Sequence, residues 1–140
     1  MATLKISELS VGDWVKVRLN KCDYNEPDTF KAKVLSVVNN SVGVGYDKSG
    51  IVMSALVEDL HPIPITAEML EKNGFEKNGE YNEWSTGNWD DIPFIGISLS
   101  RQSMRIKNLG TDIFIENKVV YVHQLQRALS LANIDKEITL

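Results

Sequence analysis

Apolar and polar residues alternate through the first sixty positions with the period of two that a half-buried strand requires. The segment 13–19, Asp-Trp-Val-Lys-Val-Arg-Leu, puts Trp14, Lys16 and Arg18 on one face and Val15, Val17 and Leu19 on the other. Further strands are predicted over 30–38, 41–46 and 51–57. Asn39-Asn40 reads as the hairpin turn between two of them, and Asp47-Lys48-Ser49-Gly50 as a second turn. Three or four short strands joined by tight turns cannot build two large sheets, so a small curled barrel is the economical solution.

The pattern changes at His61-Pro62-Ile63-Pro64-Ile65, where two prolines at alternate positions hold the chain extended and remove ladder donors. A domain junction is expected there. Thr66 then caps a short helix over 67–73 with Met69 and Leu70 turned inward, and Gly74 ends it in the left-handed conformation, followed by Phe75 as the hydrophobic contact. Strand patterns return over 81–85, 94–99, 104–109 and 112–115, the last two joined by an Asn108-Leu109-Gly110-Thr111 turn. A final helix over 120–132 carries Val122, Leu125, Leu129 and Ala132 at helical spacing, with Tyr121, Ala128 and Leu131 widening the stripe. The segment 136–140 is expected as a last edge strand.

The chain has 140 residues, of which 43 % are hydrophobic and 24 % charged, a balance that supports a packed core and not disorder. No apolar stretch approaches the roughly 20 residues that span a bilayer, and positions 1–11 lack the basic and apolar regions of a signal peptide. The expected location is the cytoplasm, with no membrane partner. Cys22 is the single cysteine, which excludes an internal disulfide and a multi-thiolate metal site. The net charge of -4 gives no overall field towards nucleic acid. It is concentrated in the middle: positions 35–100 hold three Lys against ten Asp or Glu.

His123, beside Gln124 and Gln126 at the start of the last helix, is the residue nearest to a catalytic candidate. A histidine there more simply bonds a neighbouring backbone group and locks the helix to the sheet. His61 reads as a boundary residue, and two isolated histidines do not make a zinc site. Asp90-Asp91 point to opposite faces of an extended chain and fit a loop better than a metal or acid pair. The suggestive binding feature is basic: Arg101, Ser103, Arg105 and Lys107 alternate with Gln102, Met104 and Ile106 and should line one strand face, where arginines grip phosphates or carboxylates. Solvation of an exposed strand explains the same charges. Trp14, Trp84 and Trp89, with Tyr24, Tyr46 and Tyr81, offer stacking platforms or partner anchors, or simply fill a small core. No phosphate-cradling Gly-rich loop and no Gly-x-Ser-x-Gly elbow occurs.

Several motifs carry a resemblance. The entry 9–15, Leu-Ser-Val-Gly-Asp-Trp-Val, resembles the first strand of SH3-like barrels. Together with Ile63-Pro64-Ile65-Thr66, the Leu70 to Glu76 segment, and Tyr121-Val122-His123-Gln124-Leu125-Gln126, the chain resembles a large family of uncharacterised proteins from Bacteroides and related gut bacteria, their phages and mobile elements. That resemblance implies a strand-rich N-terminal module, a linker, a short helix ending in Gly-Phe, several strands and a "YVHQLQ" helix. It carries no activity, ligand or catalytic residue.

The expected protein is α+β, a small SH3-like β-barrel over 1–62 followed over 63–140 by an antiparallel sheet with two helices. The expected function is a non-enzymatic protein-interaction or assembly module of phage or mobile-element origin, acting on a protein partner or on a second copy, with no cofactor and no metal. The alternative is a nucleic-acid-binding accessory protein that uses Arg101, Arg105 and Lys107, with Lys16 and Arg18 on the first module.

Overall fold

A computed structural model of the chain describes residues 4–19, 28–46, 51–78, 83–87, 92–115 and 120–140. The chain divides into two units, Met1–Ile63 and Pro64–Leu140.

In the first unit, Val15 and Val17 are fully buried while Trp14, Lys16 and Arg18 are half-buried, so the alternation over 13–19 becomes β1 (Trp14–Leu19) as expected. It is entered through a turn in which the Asp13 carboxylate accepts from Ser10 N at 2.8 Å and Gly12 takes φ +95°. Gly12 N and Val34 N bond to the Val34 and Asp13 carbonyls, tying that turn to the next strand. β2 (Asp28–Val38), β3 (Ser41–Tyr46) and β4 (Ile51–Leu56) follow as an antiparallel meander. Asn39 adopts φ +54° in the β2–β3 turn, a conformation Asn tolerates better than most residues. A 3-10 turn, Val57–Asp59, leads into β5 (Leu60–His61), which pairs with β1.

Register breaks in β2 between Val34 and Ser36, so Leu35 is a bulge. Without it Ser36 would follow Ala32 and Val34 to the interior; with it Ser36 faces outward and Val37 pairs with buried Val42. Leu35 lies over Gly45, where an added Cβ would meet its Cδ1 at 3.1 Å.

The sheet order is β4-β3-β2-β1-β5, with no pairing among the described residues that joins β4 to β5. A closed barrel is therefore not what the pairing shows; the first unit is an antiparallel sheet curled over a cluster that includes Val15, Val17, Val34, Val44 and Leu60. His61, expected as a boundary residue, is buried in β5 opposite Lys16.

The second unit opens with α1 (Ala67–Lys72), capped by the Thr66 hydroxyl on Met69 N at 3.3 Å. Gly74 at φ +80° and Phe75 close it, with Phe75 N on Leu70 O and Gly74 N on Glu71 O, the paired bonds of a Schellman end. β6 (Glu76–Asn78), β7 (Glu83–Ser85), β8 (Phe94–Ser98), β9 (Ser103–Asn108) and β10 (Thr111–Ile115) form an antiparallel sheet in the order β10-β9-β8-β7-β6. β6 was not expected from the sequence; its three exposed polar residues carry no alternation to see. α2 (Val122–Leu131) buries Val122, Leu125, Ala128 and Leu129, whereas Leu131, expected on the apolar stripe, is 60 % exposed. It ends as α1 does, on a left-handed residue, here Asn133, with Ile134 N on Leu129 O.

The segment 136–140 forms no strand. Instead the Asn73 side chain acts as a surrogate peptide group: its Nδ2 donates to Thr139 O at 2.8 Å and its Oδ1 accepts from Thr139 N at 2.7 Å. Nδ2 also bonds Met69 O, and Lys136 Nζ donates to Asn73 O at 2.6 Å. The tail thereby seats Ile138, which is 1 % exposed.

Asn73→Ala removes three of these bonds. At about 1 kcal/mol net apiece, unfolding free energy measured by urea titration should fall by roughly 3 kcal/mol. A loss below about 0.5 kcal/mol, the range of an ordinary surface change, would show that the tail is held by other contacts.

Candidate functional site

The register of the second sheet decides which polar residues meet. Phe94 stands opposite Lys107, Gly96 opposite Arg105, and Ser98 opposite Ser103; outward from these, Glu83 faces Ser98 and Phe114 faces Arg105. Directly paired residues share a face, so these side chains lie on one side of the sheet while Ile95, Ile97, Met104 and Ile106 are buried on the other. On the first side lies a groove of about 230 Å³ lined by Asn78, Glu83, Phe94, Ser98, Arg101, Ser103, Arg105 and Phe114, together with Trp84, Gly96 and Ile97. Gly96 gives the floor its depth, because a Cβ there would come within 3.0 Å of the Phe94 ring.

The basic residues divide among three situations. Arg105 forms a bidentate pair with Asp112, Nε to Oδ1 at 3.0 Å and Nη2 to Oδ2 at 2.7 Å, and its guanidinium lies 6.0 Å from the Phe114 ring centre. Lys107 places its Nζ 5.2 Å from the centre of the Phe94 ring. Arg101, expected on the strand with the other two, instead occupies the turn between β8 and β9 because the strand begins only at Ser103; its N–H points to Ser98 Oγ at 3.4 Å. It still reaches the groove. Asp112, the ion-pair partner of Arg105, is the residue that sequence reasoning missed. The signal was present, since the Asn108-to-Thr111 turn sets Asp112 opposite Lys107 and diagonal to Arg105.

Neither Trp14 nor His123 is among the described residues that line this groove. Trp14 belongs to the first unit, half-buried with Lys33 Nζ 5.2 Å from its ring centre. Trp89 and Asp90-Asp91 lie outside the described residues, as do Cys22, Tyr24, Tyr81 and the turn expected at 47–50. His123 is 5 % exposed and its ring stacks near Tyr121, centroids 6.0 Å apart. It lines neither this groove nor a smaller one of about 160 Å³ beside Pro64, Leu99 and Val120.

The "YVHQLQ" segment is accounted for structurally. Tyr121 is the N-cap of α2 and its N–H donates to Gln124 Oε1 at 3.0 Å; Leu125 is fully buried and Gln126 half-buried. Tyr121 also bridges to Pro64, and Ile65 N bonds Val120 O at 3.2 Å. Pro64-Ile65 and the start of the last helix are thus neighbours in space.

Among the described residues, no group of three or more His, Cys, Asp or Glu is placed to hold a metal ion, and no helix is long and apolar enough to cross a membrane. No family model, curated protein or solved structure matches the chain, so function is argued from geometry.

The Arg105 hydrogen bonds, reinforced by its charge and that of Lys107, hold the Asp112 carboxyl below the ordinary aspartate value; Asp112 in turn raises Arg105. A depressed carboxyl pKa contributes stability above the unfolded aspartate pKa of about 3.9 and loses it as pH falls through the folded value. NMR titration of the Asp112 carboxyl should therefore show a midpoint below that of a model aspartate, moving up in Arg105→Ala. An unchanged midpoint in the variant would mean the pair is not held in solution.

Proposed function

We propose that the protein is a non-enzymatic interaction module of mobile-element type, and that its second unit docks a β-strand of a protein partner along β10. The carrying observation is the contrast between the two edges of that sheet. β6 offers Glu76-Lys77-Asn78, all exposed, the charged and short kind of edge that resists pairing. β10 offers Ile113, Phe114 and Ile115 at 40 %, 52 % and 39 % exposure, and its one charge, Asp112, is already occupied by Arg105. An apolar edge strand is a template for strand addition.

A second copy of the chain is the partner proposed first. Two β10 strands running antiparallel about Ile113 would satisfy both edges by one isologous contact. In the first unit, the Val-Gly-Asp turn into β1, the four-strand meander β1 to β4 and the 3-10 turn that returns β5 to pair with β1 support the finer reading of an SH3-like module. The nucleic-acid reading is disfavoured by the pairing of Arg105 with Asp112 and by Glu83 in the same groove. Phosphate binding there would have to displace or tolerate two carboxylates.

Light scattering on the eluting protein should give twice the chain mass at high concentration, and the chain mass for Ile113→Lys, which puts a charge on the edge; circular dichroism checks that the variant folds, with Ile115→Lys as the substitute. A wild-type chain that stays monomeric throughout contradicts strand pairing between copies.

A further inference from the structure

The groove on the second sheet holds a hydroxyl. Ser103 is only 4 % exposed, lines the groove, and makes no hydrogen bond to a described residue. Its Oγ is not among the buried polar atoms left without a partner, so it opens on the groove, where it can bond an acceptor that enters. Arg101 lines the same groove from the β8–β9 turn with no ion pair to a described residue, while Arg105 gives Nε and Nη2 to Asp112.

The surroundings select the kind of acceptor. Phe94 and Phe114 supply apolar wall, so a bare inorganic anion would leave much of the lining unused. Two guanidiniums are balanced by Glu83 and Asp112, so a polyanion gains little net attraction while a single negative charge facing Arg101 and Ser103 is favoured. At about 230 Å³ the groove is below the roughly 300–1,000 Å³ typical of cofactor and drug-sized sites, and is of a size for one residue-like group.

We propose that this groove binds a single carboxylate on an aromatic or branched apolar body about one amino-acid residue in size. The carboxylate is held by Arg101 and the Ser103 hydroxyl, and the apolar body lies against Phe94 and Phe114. This chemistry has two sources, a free small acid or the C-terminal residue of a peptide. It goes beyond strand docking at β10 and does not depend on it.

The test is titration of the ¹⁵N-labelled protein with N-acetyl-phenylalanine, its amide, a pentapeptide ending in free Phe, the same peptide amidated, and inorganic phosphate. Saturable shifts should appear at Gly96, Ser98, Arg101 and Ser103 with a free carboxylate, and weaken roughly tenfold on amidation or in Arg101→Gln, the loss of one charge-assisted bond. Ser103→Ala should weaken the acid while leaving the amide unchanged, which a merely structural serine would not do. Binding of the acid alone assigns a small-molecule source; tighter binding of the free peptide assigns a C-terminus. Equal binding of acid and amide, tighter binding of phosphate, or no localised shift with any probe overturns the proposal. Ile113→Lys should bind the acid as wild type does, so failure of strand docking and failure of this site are read separately.

Discussion

The pairing of β8 with β9 is the constraint on which the second unit depends. Side chains alternate with period two, so one residue of slippage would carry every group on one face to the other. The observed register, Phe94 with Lys107, Gly96 with Arg105 and Ser98 with Ser103, sends Ile95, Ile97, Met104 and Ile106 to the interior. The same register assembles the groove on the opposite side. Core and candidate site are therefore two outcomes of one alignment, and neither can be changed alone.

The groove so built sets cations, carboxylates and aromatic rings on one face of the sheet. Its cations are engaged in part by their own neighbours, Arg105 by Asp112 and Lys107 by the face of Phe94, so the groove is electrostatically moderate despite its arginines. That balance argues for selective contact with one charge in place of indiscriminate attraction to polyanions. The outer strands of the sheet also differ: β6 is short and polar, and β10 carries exposed Ile113, Phe114 and Ile115.

Much of this arrangement was legible in the sequence, and the parts that were not share a physical cause. Strands with clean alternation, such as β1 and β3, and helix ends marked by Thr66 and Gly74, carry their signal in neighbouring residues. Elements fixed by distant partners do not. Leu35 as a bulge, β6 as a strand and the tail pinned to the Asn73 amide across 66 positions of chain are each settled by what lies opposite. Arg101 illustrates the boundary case. Its alternation with Arg105 and Lys107 suggested a common strand face, but the β8–β9 turn claims it, and it meets the groove from the turn. The ion pair of Arg105 with Asp112 was within reach, because the Gly110 turn already defines which residues face each other.

The most direct measurement of the account is the set of backbone cross-strand nuclear Overhauser contacts between β8 and β9 in the labelled protein. Contacts linking Gly96 with Arg105, Ser98 with Ser103 and Phe94 with Lys107 are the predicted result. Contacts displaced by one residue, Gly96 facing Met104 or Ile106, would contradict it, for they would scatter the groove and expose the core together.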